Sequence, residues 1–193
     1  MRKLVLTLSA IVAISAAANA QPRFGLKAGA NFANLKASGD GVSMTFDSKV
    51  GLNAGAFVSL PLSGNISIQP EAVLSMEGAK VEDEKIELTY INVPVLFQYN
   101  TSGFAIETGP QLGLLMSAKA AGEDFKDDME SINLSWAIGA GYRLPSGLGF
   151  NARYNLGLSN IAKTEDDDEG KLKSNVFQVG ISFTFGGGAS SKK

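Results

Sequence analysis

Two adjacent runs of alternating residues, between positions 131 and 160, constrain the fold more than any other stretch of the chain. In the first run, every second residue from 132 to 144 is apolar, and the residues between them are mainly small or polar. The second run repeats this pattern from 148 to 158. A period of two places successive side chains on opposite faces of a β-strand. Because Pro-Ser-Gly at 145–147 supplies a tight reversal, the stretch predicts a β-hairpin.

The same alternation recurs along the chain and predicts eight strands, which begin near residues 24, 50, 66, 86, 104, 132, 148 and 177. The connections between these strands alternate between long and short. In an up-and-down meander, this alternation places all long connections at one end and both termini at the other. The sequence therefore predicts four long loops at one end, near residues 33–49, 78–87, 118–131 and 161–174.

The two ends of the chain are predicted to lie outside the folded domain. Arg2 and Lys3 precede an apolar run over 4–14, and Ala-Asn-Ala at 18–20 fits a cleavage site, so residues 1–20 are interpreted as a signal peptide for export. The apolar run is shorter than the ~20 residues that a membrane-spanning helix needs. We expect a β-barrel domain over 21–185 and a flexible tail over 186–193.

The composition of the two strand faces indicates which face is in contact with lipid. The polar face consists mainly of Gly, Asn, Ser, Gln and Thr, with far fewer charges than the ~25–35% usual on a water-exposed surface. The other face is apolar, and near the short turns it carries the aromatic residues expected of a membrane girdle: Phe24, Phe104, Tyr142, Phe150 and Phe185. Lipid offers no hydrogen-bond partners, so the strands must close without an edge.

These features predict an all-β protein with an eight-stranded antiparallel up-and-down transmembrane β-barrel in the outer membrane of a Gram-negative cell, surrounded by outer-membrane lipid. A soluble periplasmic or secreted β-protein with the apolar face inside is the alternative. The net charge of −2 gives no attraction to nucleic acid. The chain has no Cys and no His, so we expect no catalytic residue, no metal site and no cofactor. The acidic run at 165–169 lacks the spacing of a calcium-binding loop and is interpreted as a solvated loop tip.

Charged residues on the polar face are predicted to pair across the interior, because a buried unpaired charge is costly. The predicted network contains one lysine, two glutamates and two arginines: Lys27, Glu71, Glu107, Arg143 and Arg153. A structural role for Glu71 and Glu107 is favoured over a catalytic one, since no nucleophile accompanies them. An eight-stranded interior can be filled by side chains. The sequence therefore favours an envelope structural role or an interaction through the loops, with a narrow channel for small solutes or ions as the alternative and an enzyme last.

Several runs in the sequence resemble the small outer-membrane β-barrels of Bacteroidetes, often described as porin-family or PorT-like. The resemblance covers nearly all of the chain after residue 20 and rests on the following runs: GLKAGANFANL, ISIQPEAVLS, YINVPVLFQY, ETGPQLGLLMSAK, WAIGAGYRLPSGLGFNARYNLGLSNI and FQVGISFTF. It implies a transmembrane barrel that is inserted by the outer-membrane assembly machinery. It does not identify a partner for the loops, because "porin" describes the fold in this family. One departure is that residues 186–193 follow Phe185, whereas such barrels commonly end on an aromatic residue.

Overall fold

The structure is a computed structural model, and it describes residues 22–39, 42–81, 84–120, 122–163 and 171–185. The predicted signal peptide, the acidic run at 165–169 and the predicted tail at 186–193 lie outside these ranges. Within them the chain forms one short 3-10 helix, Lys126–Asp128, and ten strands: β1 Arg23–Gly39, β2 Val42–Thr45, β3 Asp47–Ser63, β4 Ile66–Val81, β5 Glu84–Thr101, β6 Phe104–Ala120, β7 Glu123–Asp124, β8 Ile132–Arg143, β9 Leu148–Gly157 and β10 Lys171–Thr184.

Eight long strands form a closed barrel, with the order β1, β3, β4, β5, β6, β8, β9, β10 around the wall. The pairing of β10 with β1, from Gly25 opposite Thr184 to Ser38 opposite Lys171, closes the ring. All pairings are antiparallel. The short strands β2 and β7 pair with β1 and β6, respectively, at one end of the barrel. The predicted eight-stranded antiparallel barrel is therefore confirmed. No helix among the described residues is long and apolar enough to span a bilayer.

The apolar strand face lies on the outside of the barrel, as predicted. Leu134, Ile138, Leu156 and Ile181 are 46–58% exposed, although each is a large apolar side chain. The aromatic residues near the short turns are also exposed, and Phe104 packs against Tyr142 with ring centroids 4.6 Å apart and the ring planes tilted by 57°. In outer-membrane barrels the short turns face the periplasm and the longer connections face outward. We call these the periplasmic end and the outer end.

The predicted loops at 33–49 and 78–87 are wrong as loops, because strands occupy most of both segments. β1 continues to Gly39 and β3 begins at Asp47, while β4 and β5 leave only residues 82–83 between them. A transmembrane strand needs about 9–11 residues, whereas β5 has 18. The strands therefore continue well past the membrane at the outer end. The segment 118–131 also begins within β6, and β10 begins at Lys171, inside the predicted loop at 161–174.

The interior of this outer extension is apolar. Eight buried residues form one cluster, which we call the apolar cap: Leu35, Ala79, Leu88, Tyr90, Leu115, Ala118, Met129 and Ile161. The partly buried residues Phe46, Ile86, Phe125 and Leu172 pack against it. Met129 precedes β8 and Ile161 precedes β10, and both side chains are buried in the apolar cap.

Candidate functional site

Arg153 bridges the interior of the barrel from wall to wall. It lies on β9, and Glu71 lies on β4, which is four strands away in either direction around the ring. Two parallel hydrogen bonds connect them, from Nη1 to Glu71 Oε2 at 2.9 Å and from Nη2 to Glu71 Oε1 at 2.8 Å. Arg153 Nε also donates to Glu107 Oε1 at 2.8 Å. One guanidinium therefore connects β9 to β4 and to β6 across the lumen.

Three further side chains donate hydrogen bonds to the carboxylates of Glu71 and Glu107. Lys27 Nζ donates to Glu71 Oε2 at 3.0 Å, and Gln69 Nε2 donates to Glu71 Oε1 at 2.9 Å. Gln98 Nε2 donates to Glu107 Oε2 at 2.9 Å. We call Lys27, Glu71, Glu107 and Arg153 the charge network. All four are buried, and two cations face two carboxylates, so the formal charge cancels within the cluster.

The strand register explains why Arg153 and Glu107 meet. Gly139 on β8 stands between them, since it is opposite Glu107 on one side and opposite Arg153 on the other. A Cβ atom at position 139 would lie 2.9 Å from Glu107 Oε1 and 2.8 Å from the Ala152 carbonyl oxygen. Glycine at this position therefore leaves the space in which the guanidinium and the carboxylate come together.

The structure does not bring Arg143 into this cluster, although the sequence grouped it with the other four residues. Arg143 is the last residue of β8 and lies opposite Gly149, four residues closer to the periplasmic turn than Gly139. In the part of the chain that the structure describes, its side chain makes no ion pair. It lines a cavity of about 160 Å³ at the periplasmic end of the lumen, which we call the vestibule. Lys27, Glu107 and Arg153 line the same cavity at its inner end.

Glu77 is a buried carboxylate that the sequence analysis left out of the network. It follows Glu71 on the inward face of β4 at a spacing of six residues, so the period of two places it inward, although the predicted network does not include it. Ser75 Oγ and Asn92 Nδ2 each donate to Glu77 Oε1 at 2.9 Å, and Ser174 Oγ donates to Oε2 at 3.2 Å. Neutral donors thus hold Glu77 in a polar layer between the charge network and the apolar cap.

The hydrogen bonds of Glu71 and Glu107 favour a structural role for these carboxylates over a catalytic one. Glu71 and Glu107 share the guanidinium of Arg153, so neither is free to act as an acid or a base in the way that a catalytic pair would. Among the described residues, no group of three or more acidic side chains is placed to hold a metal ion. Ion pairs and hydrogen bonds between opposite walls fill the lumen in place of an open cleft.

A closed eight-stranded barrel with an apolar outer wall and a polar, hydrogen-bonded lumen defines an integral outer-membrane protein. Residues 19–163 match the family model described as "Outer membrane protein beta-barrel domain". This match spans most of the chain, and the chain belongs to that family. The protein is therefore located in the outer membrane, surrounded by its lipid. No curated protein sequence matches the chain significantly.

A solved structure shows the same fold. The crystal structure of Neisserial surface protein A is 18% identical, with a TM-score of 0.56, and the alignment covers 84% of this chain and 97% of that one. The attachment invasion locus protein Ail of Yersinia pestis is 14% identical, with a TM-score of 0.48, and the alignment covers 84% of this chain and 98% of that one. At these identities the likeness concerns the fold alone.

Proposed function

We propose that this protein is a closed, non-enzymatic barrel that supports the envelope or interacts through its outer end, without conducting solutes. The observation that carries the proposal is the bridge from Arg153 to Glu71, which crosses the full width of the lumen. A buried ion pair with two parallel hydrogen bonds resists opening, since separating it would leave both charges unpaired. A small eight-stranded interior needs few side chains of this length to be filled.

The apolar cap supports the same proposal at the other end of the barrel. A hydrated ion that enters from outside would first meet Leu35, Leu88 and Leu115, which are at most 4% exposed. Apolar constrictions oppose the passage of water and ions. Two chemically different layers, one charged and one apolar, therefore stand in series along the axis.

The outer extension provides the surface for an interaction role. Strands continue beyond the membrane and carry exposed charged residues such as Lys36 on the sheet, so this surface is held more rigidly than long loops would be. The sequence runs that extend from GLKAGANFANL to FQVGISFTF favour a place among the small PorT-like barrels of Bacteroidetes. We further infer an exported precursor with a signal peptide over 1–20, insertion by the outer-membrane assembly machinery, and a tail over 186–193 that follows the last strand.

Conductance of the purified protein in planar bilayers tests the proposal. We expect no steady ohmic current from the wild type, and the same result for Lys36→Glu, which reverses one charge outside the barrel. A steady ohmic current whose ion selectivity changes in Arg153→Glu, and is unchanged in Lys36→Glu, would establish the channel function instead. If Arg153→Glu does not insert, a steady ohmic current from the wild type alone contradicts the closed barrel.

A further inference from the structure

The vestibule at the periplasmic end has an excess of positive charge that no carboxylate among the described residues neutralises. Four charged side chains line it: Lys27, Glu107, Arg143 and Arg153. Glu107 is already held by Arg153 and Gln98, and Lys27 is held by Glu71, so neither carboxylate is left over. Among the residues that the structure describes, Arg143 makes no ion pair. Its guanidinium faces the cavity with its charge uncompensated.

The surroundings of Arg143 add positive charge. Arg23, at the start of β1, lies opposite the inward-facing Ser59 of β3 and adds positive charge at the periplasmic end. Among the described residues, Glu71 and Glu107 are both held in the charge network, so the excess of cations at this end has no carboxylate partner.

Three glycine residues line the vestibule beside Arg143. Gly149 lies directly opposite Arg143 on β9, and Gly141 precedes it on the same inward face of β8. Gly103 comes from the neighbouring turn, where its φ of 90° favours glycine. The cavity of about 160 Å³ is large enough for a phosphate group together with a few water molecules.

We propose that the vestibule binds a phosphate group through Arg143. The planar guanidinium matches the geometry of phosphate oxygens and forms paired, charge-assisted hydrogen bonds with them. The phosphate comes either from a soluble phosphate in the periplasm or from the headgroup of a phospholipid in the inner leaflet, because Arg143 lies at the end of the barrel that both can reach. This site is distinct from the outer surface to which we assign the interaction role.

Titration of the refolded protein in a phosphate-free detergent, followed by NMR, tests this site. The backbone amides of Gly103 and Gly141 report on the vestibule, and inorganic phosphate is the first probe. We expect these amides to shift with saturation in the wild type. In Arg143→Gln the affinity should fall by about tenfold, since one set of charge-assisted hydrogen bonds is lost. Arg143→Lys keeps the positive charge but loses the paired N–H donors of the guanidinium, so it should bind phosphate with intermediate affinity. Lys36→Gln, at the outer end, should bind phosphate like the wild type.

A second probe, a short-chain phosphatidic acid, distinguishes the two sources of phosphate. Shifts with inorganic phosphate support a soluble ligand, and shifts with the lipid alone support a headgroup, provided that both are weakened in Arg143→Gln. The absence of shifts with either probe, or shifts that persist unchanged in Arg143→Gln, would overturn the proposal. If Arg143→Gln does not refold, the comparison of Arg143→Lys with the wild type decides, and equal affinities would count against the site.

Discussion

The membrane-spanning part of the barrel and its outer extension have opposite arrangements of polar and apolar side chains on the same strands. On β5, Phe97 is half exposed on the outside of the membrane part, and Gln98 is buried inside. Ten residues closer to the outer end, Glu87 is outside and Leu88 is inside. Even-numbered side chains point inward from Leu88 to Gln98 on β5. What changes along the strand is therefore the polarity of the residues on each face.

The difference shows that the surrounding solvent determines which face is apolar. In lipid the apolar residues must face outward, and the polar residues must satisfy one another inside. Above the membrane the outer wall meets water, so burial of apolar residues inside becomes favourable, as in a soluble protein. The charge network stabilises the first region through paired charges, while the apolar cap stabilises the second through packing. Substitutions in the two regions should therefore have different effects.

The largest effect is expected from Glu71→Gln. This change leaves Lys27 and Arg153 with only one carboxylate between them, and breaking a buried ion pair costs about 3–5 kcal/mol. Urea unfolding in lipid vesicles measures the change in the free energy of unfolding. A loss below about 1 kcal/mol, the level of an exposed pair, would show that the lumen is hydrated and that the network is not buried.

Leu88→Ala in the apolar cap should destabilise the protein by about 2–5 kcal/mol, because it removes a fully packed side chain and leaves a cavity. Leu134→Ala is the matched control on the lipid side, where acyl chains fill the space left by the smaller residue. The same unfolding measurement compares the two variants. Equal losses would mean that position 88 is not packed in a core.

Ile138→Arg should cost about 2–4 kcal/mol and slow insertion into vesicles, since it places a charge on the lipid face. Asn155→Ala is the control from inside the same hairpin. The Asn155 amide atoms are buried without a hydrogen-bond partner among the described residues, so its truncation should cost less. If Ile138→Arg inserted as well as the wild type, position 138 would not face lipid.

Glu87→Gln should have the smallest effect, about 0–1 kcal/mol, because the ion pair it breaks is partly exposed to water. Lys49 Nζ and Glu87 Oε1 are 2.9 Å apart, but the Glu87 side chain is 56% exposed. Salt screens such pairs, so the remaining effect should decrease as the ionic strength rises. A salt-independent loss comparable with that of Glu71→Gln would remove the distinction between the two regions.

The sequence predicted the barrel because the period of two and the short turns are local signals. It identified Lys27, Glu71, Glu107 and Arg153 as inward residues for the same reason. It could not separate Arg143 from them, because the relative heights of residues on different strands depend on register and tilt, which no local pattern encodes. The extension beyond the membrane was missed because charged residues at 36 and 87 were interpreted as loop residues. Outside lipid, charges on the outer face are what an extended strand would carry.

Thiol accessibility along β5 tests the reversal most directly, since the chain contains no cysteine of its own. Single variants Glu87→Cys, Leu88→Cys and Phe97→Cys are reconstituted in lipid vesicles and treated with a membrane-impermeant charged maleimide. We predict rapid labelling for Glu87→Cys and little labelling for the other two variants. In a second measurement, a fluorophore is attached to each cysteine under denaturing conditions before refolding. Brominated lipid should quench this fluorophore only in Phe97→Cys. Labelling of Leu88→Cys or Phe97→Cys as rapid as that of Glu87→Cys would contradict the reversal.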